Sequence, residues 1–281
     1  MKHIRDVKIG GLTVGSGNPV RVMSVVNLSP ESFYKGSIAD SIDKFHEMIE
    51  TASMEGADII DIGGASSAPK EVYGTYDISV EEELKRVTQA LDSINVSKYP
   101  PLSIDTTSSK VAAAALNLGI SMVNDISGLH GDSKMAELVA DQDVPIVLMA
   151  NCGIPCKDIE ASLDSLRDSL TIAGSAGIRE ENIILDPGIG FGKPPEVDVK
   201  ILQELDLFLK LNHPLLVGVS RKAFIGHLLD ETNPEDRLIG SIVATAVAVM
   251  NGADVIRTHD LRETKVAVQM GENLRKSQRH D

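Results

Sequence analysis

The chain has 281 residues, 42% of them hydrophobic, which is enough to build a sizeable core in one large domain or two small ones. A formal net charge of −14 excludes general nucleic-acid binding, which needs a basic face, but leaves room for an anionic small ligand held by a local cluster of cations. No stretch is long and apolar enough to span a membrane, and the opening MKHIRDVKIGG lacks the apolar middle of a signal peptide. Cys152 and Cys156 in NCGIPC are close enough in sequence for a disulfide but do not suggest a secreted disulfide scaffold, so a cytoplasmic, reduced protein is expected.

The segment VKIGGLTVGSGNPV opens the chain with Gly-Gly between two short alternating runs, the pattern of a β-hairpin. Eight short apolar runs follow in order: VRVMSVV, ADIIDIG, PLSID, SMVND, PIVLMA, NIILD, LLVGV and ADVIRTH. They are nearly continuous in apolar residues, as parallel strands covered on both faces should be. Amphipathic segments separate them. Residues 40–55 put Ile42, Phe45, Ile49 and Ala52 on one face, and residues 197–211 do the same with Leu202, Leu205, Phe208 and Leu209. Residues 239–250 are apolar nearly all round, which predicts a well-buried helix. Eight strand–helix units in residues 1–281 predict one α/β domain, a (β/α)8 TIM barrel, with the N-terminal β-hairpin plugging its bottom. The competing doubly wound sheet usually places a Gly-rich turn after its first strand, where this chain has NLSPES.

Catalytic groups of such barrels sit at the C-terminal strand ends. Here those ends carry Asn27, then Asp61 with Ser66 and Ser67, then Asp105, then Asn124 with Asp125. Met149 with Asn151, Asp186, Ser220 to Lys222, and Arg257 to Asp260 complete the ring. Each has a bland alternative: an Asp after a strand is often a helix N-cap, and Asn27 can cap its own loop. All eight ends turning polar together argues for one pocket. By charge the pocket divides in two. Lys222, Arg257 and His259, with Asn27 and Ser67 next around the ring, suit a phosphate or diphosphate, with Mg²⁺ on an oxygen such as that of Asn27. Asp105, Asn124 and Asp186, with no matching cation nearby, suit a heterocycle rich in N–H donors.

The motifs carry a resemblance. MSVVNLSPESF resembles the first signature of dihydropteroate synthases. ADIIDIGGASSAP, SIDTT, VNDISG, ILDPGIGFGK, VGVSRKAFIG and IRTHD are similar to that family's later strand-end motifs, in the same order, and the likeness covers nearly the whole chain. The resemblance implies a transferase that condenses (7,8-dihydropterin-6-yl)methyl diphosphate with an arylamine and releases diphosphate, in folate or methanopterin-type cofactor synthesis. It implies pterin contacts from Asp105, Asn124, Met149, Asp186 and Lys222. Diphosphate contacts fall to Asn27, Ser67, Arg257 and His259, with Mg²⁺ on Asn27. Arylamine contacts fall to Phe191, Ser220 and Pro69. Lys222, Arg257 and His259 become the catalytic group that draws off the leaving diphosphate, and a homodimer is expected.

Three positions depart from the family's usual pattern. Glu31 stands where Asp is usual, Ala68 where a loop arginine is usual, and Ala150-Asn151 follow Met149 where His is usual. Losing an arginine removes a partner for a carboxylate or phosphate. The departures therefore raise an arylamine other than p-aminobenzoate, such as a ribosylated aniline phosphate, with Lys70 or Lys35 as replacement cations. Two rivals remain: a pterin-dependent methyltransferase working with a corrinoid protein, which has no use for a diphosphate cradle, and a catalytically silent pterin-binding paralogue.

Overall fold

The computed structural model describes residues 5–15, 17–30, 34–66, 78–153 and 155–277. A two-stranded antiparallel hairpin, β1 (Val7–Ile9) and β2 (Leu12–Val14), precedes the main sheet. Gly10 and Gly11 turn it with positive φ of 50° and 93°, which glycine adopts without a Cβ clash.

Eight parallel strands follow: β3 (Arg21–Asn27), β4 (Ile59–Gly63), β5 (Leu102–Asp105), β6 (Met122–Asp125), β7 (Ile146–Met149), β8 (Ile183–Asp186), β9 (Leu216–Val217) and β10 (Val255–Thr258). They lie in the order β8-β7-β6-β5-β4-β3-β10-β9. A parallel bridge between Leu185 and Leu215 joins β8 to the entry of β9 and closes the ring. The TIM barrel read from the sequence is therefore the fold, and each of the eight runs became a strand. LLVGV was read too long, since only Leu216 and Val217 pair as β9.

Helices pack outside: α1 (Ile42–Met54), α2 (Val80–Asp92), α3 (Ser109–Asn117), α4 (Met135–Gln142), α5 (Ile159–Ala176), α6 (Pro195–Gln203), α7 (Leu205–Leu209), α8 (Ala223–Leu229), α9 (Leu238–Met250) and α10 (Leu261–Ser277). Ser41, Ser79 and Asp158 cap α1, α2 and α5 by accepting from Lys44, Glu82 and Ala161 N–H, each cap contributing about 1 kcal/mol. Three details differ from the expected pattern. Ile42 on α1 is exposed, while Phe45, Ile49 and Ala52 are buried. Residues 197–211 break at Glu204, because Asn251 Nδ2 takes the Leu202 carbonyl at 2.8 Å that a continuous helix would offer to Asp206. Finally, α9 is not buried all round: Ile239 is 73% and Val243 60% exposed.

Two cores result. The larger lies between strands and helices, with Phe45, Ile104, Leu185 and Phe208 among its buried members. The smaller fills the barrel's lower end, where Val7, Ile9 and Val14 of the hairpin meet Met23, Ile59, Met122, Val147, Ile184, Leu216 and Val255. The hairpin is thus the expected plug. It closes one end, and the period-two alternation of each strand then decides what lines the other.

Candidate active site

Two residues beyond each lower-layer side chain, a strand again faces the barrel axis. Above Ile59 this gives Asp61, above Met122 Asn124, above Val147 Met149, above Ile184 Asp186, and above Val255 Arg257. Asp105 follows Ser103 in the same way. Above Leu216 stands Gly218, where an added Cβ would come within 3.8 Å of both Arg257 Cβ and Lys222 Nζ.

Arg257 is the hub. Its Nε donates to Asp61 Oδ2 at 2.7 Å and its Nη2 to Asp105 Oδ2 at 2.8 Å. Asn124 Nδ2 donates to the same Asp61 oxygen at 3.0 Å. Asp61, Asp105 and Asn124 are all buried. Burial works against the guanidinium charge, but Asp61 and Asp105 outweigh it and hold Arg257 above the ordinary arginine value.

Asp186 and Lys222 form the second feature. Burial raises the Asp186 carboxyl, against the pull of Lys222, the Gly188 N–H, Lys193 and Arg257. The Gly188 N–H donates to Asp186 Oδ1 at 2.7 Å. Burial lowers Lys222 to about 8, against Asp186 and Asp198, which favour its charge. The Lys222 ammonium donates to the Ile189 carbonyl and stands 4.4 Å from the centre of the Phe191 ring. A Cβ at Gly190 would lie 2.2 Å from Lys222 Cδ, so this turn, at φ 79°, accepts only glycine. Met149 is buried, with its Cγ 3.3 Å from where a Cβ on Gly188 would stand.

His259 Nδ1 lies 3.0 Å from Ser220 Oγ. Burial, then Arg257, Arg221 and Lys222, lower His259 to about 3, so its imidazole is neutral at pH 7. The expectation of a third cation there is corrected: a cation among cations in a dry site gives up its proton. Arg221 turns away from the axis at φ 56° and pairs with Asp260, its Nε to Oδ2 at 2.8 Å and Nη2 to Oδ1 at 2.6 Å. The Tyr34 ring lies 4.4 Å from the Arg221 guanidinium carbon and edge-on to His259.

Asn27 Nδ2 donates to Ser37 Oγ at 2.8 Å, and its Oδ1 faces Gly63, where an added Cβ would approach to 3.2 Å. Among the described residues no group of three or more His, Cys, Asp or Glu side chains is arranged to hold a metal. Ser67 and Pro69 lie outside the described residues, as do Glu31, Ala68, Lys70 and the Lys35 side chain.

The charge division read from the sequence needs correction. The acidic group does not lack cations: Arg257 reaches past β3 to Asp61 and Asp105, and Lys222 faces Asp186. Cysteine chemistry needs it too, since Cys152 and Cys156 are joined in a disulfide rather than reduced. Asp125 follows the bland reading: its carboxylate accepts from the Ser127 and Leu129 N–H groups and caps a turn.

Residues 23–259 match the family of pterin binding enzymes. The dihydropteroate synthase of Bacillus subtilis is 39% identical over 92% of this chain and 90% of its own length. The chain belongs to the dihydropteroate synthase family. A solved dihydropteroate synthase of Coxiella burnetii, in complex with pteroic acid, superposes with a TM-score of 0.85 at 31% identity, covering 98% of this chain and 99% of that one. The Xanthomonas albilineans dihydropteroate synthase with 4-aminobenzoic acid gives 0.85 at 34% identity, covering 96% and 98%. Within this dihydropteroate synthase barrel, Asp61 was read at its strand end but assigned to neither half of the pocket, although it is the carboxylate that holds Arg257 Nε. The signal was present: a carboxylate inside the buried strand IIDIG, two residues after Ile59 and so on the axial face.

Proposed function

We propose that the protein condenses (7,8-dihydropterin-6-yl)methyl diphosphate with p-aminobenzoate and releases diphosphate, a step of folate synthesis. The observation that carries this reading is Arg257 held between Asp61 and Asp105, with Lys222 and Asp186 facing the same axis. One mouth thus offers carboxylates for an amine-edged heterocycle and cations for an anion. Membership of the family, and relatives solved with pteroic acid and 4-aminobenzoic acid, support the substrates.

In this reading Asp186, Asn124 and Asp105 accept and donate along the pterin edge, while Met149 and Lys222 pack on the ring. A diphosphate entering the mouth draws Arg257 from Asp61 and Asp105, and the released carboxylates become acceptors. As the C–O bond breaks, positive charge spreads into the electron-rich pterin. Arg257 and Lys222 then stabilise the departing anion more strongly than the bound ground state. Neutral His259 serves as a hydrogen-bond donor to it, and Asn27 and Ser67 complete the cradle. The arylamine approaches along Phe191, Ser220 and Pro69. It is nucleophilic when neutral, so no strong general base is assigned.

Mg²⁺ is part of the proposal. Among the described residues Asn27 Oδ1 is the neutral oxygen proposed for it and no carboxylate cage is formed, which suits an ion that arrives with its own phosphate oxygens and waters. Bound there, it would supply charge to the leaving group.

We also propose a cytoplasmic homodimer. Among the described residues no helix is long and apolar enough to cross a membrane. Ile239 and Val243 of α9 and Val266, Met270 and Leu274 of α10 are exposed apolar side chains on two helices packed together. Gly271 lets those helices meet closely, since a Cβ there would fall 2.7 Å from Val249 Cβ. Such a face suits a second copy of the chain.

The deciding experiment incubates the purified protein with the pterin diphosphate, Mg²⁺ and each amine in turn, and follows diphosphate and pteroate. Turnover of p-aminobenzoate at micromolar concentration is expected. Turnover of a ribosylated aniline phosphate alone would redirect the assignment to methanopterin-type synthesis. Absence of diphosphate release with any amine would leave a silent pterin-binding protein. Methyl transfer to a corrinoid protein would establish the other rival.

A further inference from the structure

The NCGIPC motif takes no part in the pterin chemistry, yet it sits beside it. Cys152 and Cys156 form a disulfide in the loop between β7 and α5. The loop's entry is tied down: Asn151 N–H donates to Ser165 Oγ at 2.9 Å, Asn151 Nδ2 to the Ile126 carbonyl at 3.0 Å, and Gly153 N–H to Asn151 Oδ1 at 2.9 Å. The two sulfurs differ in access. Cys156 is 3% exposed, while Cys152 lines a groove of about 770 Å³ with His130, Asn151, Asp164 and Asp168.

The closed loop touches the substrate wall. An added Cβ on Gly192 would come within 3.1 Å of Pro155 Cγ, so the proline ring rests on the Gly192 backbone, which is itself in a left-handed turn at φ 76°. Gly192 lies between Phe191, whose ring meets Lys222, and Lys193, which donates to the Gly188 carbonyl next to Asp186. A continuous line of contact therefore runs from the disulfide through Pro155 and Gly192 to Phe191.

We infer that Cys152–Cys156 is a thiol-exchange site that takes a dithiol reductant, small or protein-borne, and that its state sets the position of the Phe191 wall. The reductant's thiolate attacks Cys152 Sγ from the groove, forming a mixed disulfide. The Cys152–Cys156 bond breaks, and Cys156 leaves as a thiolate that takes a proton. The reductant's second thiolate then displaces Cys152, so the reductant is oxidised to its disulfide and the protein ends with two thiols. Opening the five-residue ring returns backbone freedom to the segment that carries Pro155. The Gly192 turn then loses the support of Pro155, Phe191 beside it is held less firmly, and the arylamine must order that wall as it binds. In a reducing compartment a disulfide of this kind is a regulatory element rather than a structural one. The kinetic part of the inference rests on the transferase reading, and the chemical part does not.

The test uses the full chain purified without reductant. Alkylation followed by mass spectrometry is expected to add no label before dithiothreitol and two labels after it; labelling without reductant would overturn the site. The single variants Cys156→Ser and Cys152→Ser, treated with dithiodipyridine, should react faster at Cys152; equal or faster reaction at Cys156 would overturn the direction of attack. Reduction should raise KM for p-aminobenzoate on the order of fivefold, the cost of ordering one or two wall side chains. Values of kcat and of KM for the pterin diphosphate should stay put. A variant carrying both Cys152→Ser and Cys156→Ser should behave as the reduced protein and ignore reductant. An unchanged KM on reduction, or an equal reductant effect on that variant, would overturn the coupling to Phe191. Loss of all turnover with normal labelling would instead count against the transferase reading.

Discussion

Replacing Asp61 with Asn tests the hub most directly. The amide keeps the carboxylate's shape but carries one acceptor and one donor group. Asp61 Oδ2 accepts from both Arg257 Nε and Asn124 Nδ2. With its oxygen at the Oδ2 position the amide keeps both partners but as a neutral acceptor, and its NH₂ group takes the place of Oδ1, which is buried without a hydrogen-bond partner. Arg257 is then left with Asp105 as the one carboxylate it hydrogen-bonds, and the new NH₂ is buried unsatisfied; losing a charged acceptor and stranding a buried donor together cost about 1.5–3 kcal/mol. For a chain of this size that corresponds to a fall in Tm of roughly 3–8 °C. If Arg257 must stay poised for the anion, affinity for the pterin diphosphate should drop by about 10- to 100-fold. Calorimetric melting and titration calorimetry with the pterin diphosphate read the two effects separately. An Asp61→Asn protein with wild-type Tm and wild-type affinity would falsify the role of Asp61 as the anchor of Arg257.

Three further outcomes are expected. Lys222 is charged below about pH 8, so kcat/KM for the pterin diphosphate should fall as pH rises through 8, and Lys222→Arg should remove that limb; a basic limb unchanged in Lys222→Arg belongs to another group. Its contribution to stability runs the opposite way, rising between pH 8 and 10.5, because there the unfolded chain binds the proton and the folded one does not. Burial pushes the Asp254 carboxyl up to about 6, so Asp254→Asn should raise Tm at pH 7.5 by removing a buried charge, and the gain should vanish near pH 4, where the folded chain already holds the proton. A gain that persists at acid pH would show that charge is not its cause. Val243→Glu, on the exposed face of α9, should yield a monomer by sedimentation velocity while the melting curve of the protomer stays cooperative; a dimer that survives the change forms elsewhere.

The barrel was legible because each parallel strand is an uninterrupted apolar run with a polar end, and because Gly10-Gly11 marks a hairpin without ambiguity. What escaped depended on contacts distant in sequence. Nothing near Glu204 announces that Asn251 will interrupt the helix. Hydropathy alone does not separate a helix face turned to the core from one turned outward, which is why Ile239 and Val243 were read as buried. Asp61, Asp105, Asn124, Asp186 and Arg257 were read at strand ends and stand at one end of the barrel, but their pairing was not foreseen. Sorting charges by strand order keeps Arg257 beside its neighbours, whereas its side chain reaches two strands further round to Asp105. The disulfide was equally opaque, since a spacing of four residues permits a bond without requiring one.

The seam between β8 and β9 has a consequence for how the molecule breathes. Every other joint in the ring is a ladder of two or more paired residues, while this one has a single bridge, Leu185 to Leu215, and a strand of two residues behind it. On its other side Leu215 is held from the entry of β10, its N–H donating to the buried Asp254 carboxylate at 3.0 Å. Amide hydrogens along this stave should exchange with solvent ahead of those on the opposite side of the cask. The stave carries Lys222 just above, so the first place to loosen lies directly beneath the ammonium that faces Asp186 and that we propose grips the substrate.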